Sequence, residues 1–220
     1  YGASAEMIVV AARTSGSDSD ADGITLFAVP QDASGMSHDS VRLVDSSMAS
    51  HITFDGVELD ADAVIGDVDG GREVLNAMLR AGRVGAAAEG VGVARGAMDM
   101  TVDYLKQRKQ FGELIGSFQA LQHRAAHLYS EVEIARAVVM KAAQLLDAGS
   151  EKADLMASVA KAKVAKAAGL AVREGVQMHG GIGMTDEYDV GLYMKRDRAL
   201  QEFLGDQYYH AGRVAELSGY

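Results

Sequence analysis

Apolar residues recur at alternating steps of three and four between Ser117 and Leu146. They are Phe118, Leu121, Ala125, Leu128, Val132, Ala135, Val139, Ala142 and Leu146. Such steps return side chains to one face of a helix and build the narrow stripe that bundled, near-antiparallel helices bury. Val91, Ala94, Met98, Val102 and Leu105 predict a second such helix over 72–107. Met156, Ala160, Val164, Ala167 and Ala171 predict a third over 152–178. A shorter helical tail follows Tyr188. Ser117 and Ser150 are candidate N-caps, and Gly149 is a candidate C-terminal stop. Gly82, Gly85, Gly90 and Gly92 crowd the first helix. Each costs about 1 kcal/mol relative to alanine, and tight packing against a neighbouring helix is the expected compensation.

The pattern before residue 66 is different. Strand-like runs at 5–14, 23–30, 41–44 and 50–59 are separated by turn clusters such as Ser15-Gly16-Ser17-Asp18. Ile52-Thr53-Phe54 carries the β-branched and aromatic enrichment of a strand. The expected fold is therefore α+β. Part of an antiparallel β-domain occupies 1–66, and an all-α up-and-down four-helix bundle occupies 67–220. The chain opens on Tyr1 and enters strand-like sequence at Met7. The β-domain is accordingly read as incomplete at its start.

Composition narrows the function classes. The formal net charge is −10, from 21 basic and 31 acidic residues. A nucleic-acid footprint would be basic, and so would a patch for an anionic membrane surface; neither partner is expected. There is no cysteine. Disulfides, thiolate metal sites and a cysteine nucleophile are excluded, and a cytoplasmic chain is expected. The histidines form no metal constellation. His123 and His127 share a helix face without a third ligand, and packing in a core or interface is expected of them.

Two motifs carry chemistry. Arg108-Lys109-Gln110-Phe111-Gly112 ends the first long helix, and Gln177-Met178-His179-Gly180-Gly181-Ile182-Gly183 ends the third. With Leu26-Phe27-Ala28-Val29-Pro30, Phe118-Gln119-Ala120-Leu121-Gln122-His123 and Glu187-Tyr188, they stand in the order and spacing of the acyl-CoA dehydrogenase family. The chain resembles that family's middle β-domain end and C-terminal helical domain over essentially its whole length. The resemblance implies FAD bound at a subunit interface and an acyl-CoA substrate. It implies that Arg108 reaches the pyrophosphate of the neighbouring subunit's flavin, a task suited to the guanidinium fork. Gln110 belongs to the same cofactor-binding segment. Phe111 would pack on the cofactor, and Gln177 would bond its adenosine portion. Gly180 and Gly181 would let backbone approach where a Cβ would collide.

The resemblance also implies a carboxylate base near the C-terminus, followed by glycine and threonine. Here that segment reads Leu204-Gly205-Asp206. Some relatives carry the glutamate before an arginine on the first bundle helix; here that pair is Gly82-Arg83. Neither position holds an acid, and Asp206 sets a negative charge where a threonine would meet the subunit's own flavin. Several readings stay open. The chain is the base-less subunit of a heteromeric acyl-CoA dehydrogenase, or a self-sufficient homo-oligomer using Glu202 or Asp206 as base. A non-catalytic scaffold and a flavin oxidase or hydroxylase are the other readings. The acyl group is not specified.

Overall fold

A computed structural model describes residues 2–220, in two compact units that divide at Leu79/Arg80, inside the first long helix. In the first unit, β1 (Met7–Arg13), β2 (Ile24–Pro30) and the short β5 (Val64–Ile65) form an antiparallel sheet in the order β1-β2-β5. The strands β3 (Met36–Arg42) and β4 (Met48–Phe54) pair separately, from Met36 opposite Phe54 to Arg42 opposite Met48. Thr25, Leu26 and Val29 of β2 are buried. The strand expected at 41–44 lies earlier. Leu43 already opens the turn, where its N–H donates to the Ser47 carbonyl at 2.8 Å. The Asp45 carboxylate accepts from Ser47, and Ser46 takes a left-handed φ of 68°. Polar residues with short side chains favour such turns over strand continuation.

The second unit is a helical bundle. Its helices are α1 (Arg72–Gln107, whose first turns belong to the first unit), α2 (Gln119–Asp147), α3 (Ala153–His179), α4 (Val190–Glu202) and α5 (Gln207–Leu217). Two core clusters fix the directions of the first three. Val84 and Ala87 of α1 pack with Val139 and Ala142 of α2 and with Ala157 and Ala160 of α3. Further along, Met98 and Leu105 pack with Leu128 and with Val172 and Met178. Residue numbers thus rise along α1, fall along α2 and rise along α3, which is an up-and-down arrangement. Fourth place is shared by α4 and α5. Val190 stands at Gly175 and Gln201 at Gly169, and Arg213 of α5 pairs with Asp154. Both helices therefore run against α3, separated by the Leu204-Gly205-Asp206 turn.

Small residues permit the close approaches expected of α1 at some positions only. A Cβ on Gly90 would lie 2.6 Å from Val164, whereas Gly85 and Gly92 face open space. The stop at Gly149 is present. Its φ is 59°, and the Ser150 N–H bonds back to the Leu145 carbonyl at 3.0 Å. The two serine caps are not. Ser117 donates to Glu113 and to the Leu114 carbonyl, so Phe118 occupies the N-cap position of α2. Ser150 lies two positions before Lys152, the N-cap residue of α3.

Candidate functional site

The Arg108 motif sits on a hairpin. The α1 helix ends at Gln107, and β6 (Lys109–Gln110) pairs with β7 (Glu113–Leu114) around Phe111 and Gly112. Both tip residues have positive φ, 55° and 85°. Phe111 is 91% exposed, an unusual position for a phenyl ring, and stands edge-on to Phe118, with centroids 6.2 Å apart. Among the described residues, the Arg108 guanidinium has no hydrogen-bond or ion-pair partner. The Gln110 amide donates to the adjacent Lys109 carbonyl at 2.8 Å.

The Gln177 motif reaches the same end of the bundle through an aromatic contact. Tyr104 of α1 stacks on His179 of α3, with centroids 4.5 Å apart, and Tyr188 closes on both rings. The His179 Nδ1 donates to the Gly175 carbonyl at 2.7 Å, which fixes the ring. Gln177 is exposed, and its side chain has no partner among the described residues. Gly180 has a φ of 66°, which a side chain would resist, and no atom stands within 4 Å of a Cβ on Gly180 or Gly181. This end therefore offers a free guanidinium, a free amide, an exposed aromatic ring and open glycine backbone. These are the groups a phosphorylated, aromatic cofactor needs, and none is consumed by the chain's own fold.

The two positions expected to carry a base, 82 and 204, lie far away. A Cβ on Gly82 would meet Leu204 Cδ1 at 2.8 Å, so both candidate positions face one another and the leucine fills the space between. Along α1, Gly82 and Gln107 are roughly 38 Å apart at the helical rise. Leu204 takes a left-handed φ of 60°. For a side-chain-bearing residue this costs about 1–3 kcal/mol and persists only where surrounding contacts impose it. The alternative acids are engaged. Glu202 pairs with Arg198 at 2.6 Å on the exposed side of α4. Asp206 is the N-cap of α5, its Oδ1 accepting from the Tyr209 N–H at 2.7 Å. A threonine could make the same cap, so the acid is not required for it.

Buried ionisable groups surround this turn. Lys161 is 3% exposed, and its ammonium donates to the carbonyls of Leu200 (2.7 Å) and Gly205 (3.0 Å). Burial pushes its pKa down, and Asp206, Glu202 and Asp197 partly offset this. His210 is fully buried, with Nε2 at 2.9 Å from the Leu204 carbonyl. Burial drives its imidazole down to about 4, despite that hydrogen bond. The ring is thus neutral near pH 7 and donates through Nε2. Burial drives the Asp197 carboxyl up to about 6, against a hydrogen bond from Gln201 and the nearby Arg173. Asp154 receives both Arg83 and Arg213.

Neither Lys161 nor His210 was singled out from sequence. A signal existed for the first: Lys161 lies in register with Ala157, Val164 and Ala168 on the buried face of α3. His123 and His127 lie on the outward side of α2 and are exposed, so they are not part of this chain's core. Among the described residues no cluster suits a metal ion, and no helix is long and apolar enough to cross a membrane.

Comparisons with known proteins agree with this architecture. Residues 69–218 match the family model for the acyl-CoA dehydrogenase C-terminal domain. The short/branched chain specific acyl-CoA dehydrogenase of Bos taurus is 36% identical over 176 residues, which are 79% of this chain and 40% of that protein. The butyryl-CoA dehydrogenase of Megasphaera elsdenii superposes with a TM-score of 0.93 at 28% identity, over 99% of this chain and 57% of its own. A steroid ACAD named Tcur3481-Tcur3483 superposes at 0.84 with 30% identity, over 97% of this chain and 55% of its own. The chain thus spans about two fifths of the bovine relative and somewhat over half of these two solved structures. It belongs to the acyl-CoA dehydrogenase family.

Proposed function

We propose that this chain works in the FAD-dependent α,β-desaturation of an acyl-CoA thioester as a subunit that lends flavin contacts to a base-bearing partner. One observation carries the reading: the groups suited to a flavin are free at one end of the bundle, while both base positions are closed at the other by Leu204 on Gly82. The two ends stand roughly 38 Å apart along α1, and on this reading they serve different flavins, with only the lending end equipped.

Arg108 is suited to fork onto a pyrophosphate, Phe111 to cover an aromatic ring system and Gln177 to bond an adenosine edge. Gly180 and Gly181 admit the cofactor to the backbone. FAD held by these residues would supply the acceptor for a hydride leaving the substrate's β-carbon. The accompanying α-proton needs a carboxylate in an apolar site. Leu204 cannot take it, Glu202 faces solvent against Arg198, and Asp206 is held as a helix cap. The composite name of the Tcur3481-Tcur3483 relative supports a pairing of unlike subunits. A cytoplasmic setting accords with the cysteine-free sequence.

Leu204→Glu tests this directly. On its own it should give no acyl-CoA-dependent bleaching of flavin absorbance. The carboxylate would emerge at Gly82, next in sequence to the buried Arg83, and with the Lys161 ammonium bonded to the backbone of its own turn; nearby cations favour its ionised form and weaken it as a base. Asp206 would still place charge toward a cofactor pyrophosphate. Robust bleaching by this single variant would establish a complete flavin site in the chain itself and defeat the lending reading.

A further inference from the structure

We propose that Lys161 and His210 are positioning residues: together they hold the backbone of the Leu204-Gly205 turn so that the side chain at 204 is aimed at Gly82. Three carbonyls, those of Leu200, Leu204 and Gly205, accept from these two buried side chains at 2.7, 2.9 and 3.0 Å. All three contacts are to backbone. They therefore set the path of the turn whatever side chain stands at 204.

The chemistry of each donor supports this role. A buried ammonium is costly unless its protons are bonded, and packing alone would favour an apolar residue on this face of α3. Lys161 has no carboxylate within bonding distance. It bonds the Leu200 carbonyl, one of the last four of α4, which have no partner within the helix. A cation is favourable at that helix end. Its second bond, to Gly205, spans the break between α4 and α5 and ties both sides of the turn to α3. His210 approaches from α5 and holds the intervening Leu204 carbonyl. Gripped from two helices, Leu204 keeps its left-handed φ of 60° and points Cδ1 at Gly82. Released, a leucine would relax toward the ordinary regions of backbone space.

The inference concerns the aim of residue 204 and does not depend on whether the chain lends or completes a flavin site. The absence of cysteine from these 220 residues gives a clean test. In this chain, Gly82→Cys with Leu204→Cys creates one thiol pair, and a short bifunctional thiol reagent reads their proximity as cross-link yield. The parent pair should cross-link efficiently. Adding Lys161→Met should lower the yield several-fold while helical circular dichroism is retained. Adding His210→Leu should also lower it, and His210→Gln, whose amide can donate to the same carbonyl, should restore it. If Lys161→Met fails to fold, the His210 pair decides alone. Unchanged yield in a folded Lys161→Met protein, or equal yields for His210→Leu and His210→Gln, would overturn the proposal. Neither result would bear on the flavin reading, which is tested by the cofactor spectrum.

Discussion

Arg108→Ala should lower flavin affinity in the assembled protein by about one to two orders of magnitude. A hydrogen bond to a charged group contributes about 1.5–3 kcal/mol, and each 1.4 kcal/mol is roughly tenfold in binding. The guanidinium stands on a hairpin with no competing partner among the described residues, so its whole donor fork is free for phosphate. Arg108→Lys should fall between the two, since an ammonium keeps the charge and loses the bidentate geometry. Helix α1 ends before the hairpin, at Gln107, so neither substitution should disturb the bundle core. The flavin-to-protein ratio after dialysis reads the effect. An unchanged ratio in Arg108→Ala would remove this arginine from the cofactor site.

The second large effect concerns pH. Asp197 in the folded chain holds its proton up to about pH 6, well above its ordinary value of 3.8. Between those limits the folded state binds more protons than the unfolded state, so this group's contribution to stability falls as pH rises. His210 acts in the opposite sense. Its folded pKa of about 4 lies below the ordinary 6.5, so the unfolded state binds more protons between those limits and stability rises with pH. Each corresponds to about 3 kcal/mol over its window. The two slopes oppose one another between about pH 4 and 6 and largely cancel in the native protein. Asp197→Asn should uncover the histidine, with stability climbing from pH 4 to 6.5 relative to the parent. His210→Gln should uncover the carboxylate and fall over a similar range. Urea unfolding at a series of pH values measures both. Two variants whose profiles stay parallel to the parent's would contradict these shifts.

The bundle was legible because its signal is local and repetitive. The stripe from Phe118 to Leu146 lies against the core along its length, and its partners on α1 and α3 obey the same spacing. Caps were harder to read. A serine before a helix signals an N-cap only if the chain turns at that residue, and Ser117 instead completes a turn with Leu114 and Glu113. The β3 boundary was misplaced because Val41 to Val44 reads as strand by composition, while the Asp45-Ser46-Ser47 turn decides where pairing ends.

The site divides in the same way. Arg108, Phe111, Gln177 and the two glycines lie in contiguous motifs, so the resemblance to the family marked them as candidates. That Gly82 and Leu204 touch could not be read from residues so far apart along the chain. The contact follows from α4 running against α1, a tertiary fact. Lys161 was obscured for a different reason. It stands near Lys163 and Lys166 in a run that reads as a solvated lysine face, and only its register with Ala157 and Val164 betrays that it points inward.

The central claim is that this chain lends flavin contacts and carries no working base. The visible spectrum of the full-length protein, purified alone and then mixed with a panel of acyl-CoA thioesters, tests it most directly. A colourless protein, or one whose flavin absorbance is untouched by every thioester, is the expected result. A full flavin complement that bleaches on adding an acyl-CoA would contradict it and return Glu202 and Asp206 to contention as the base.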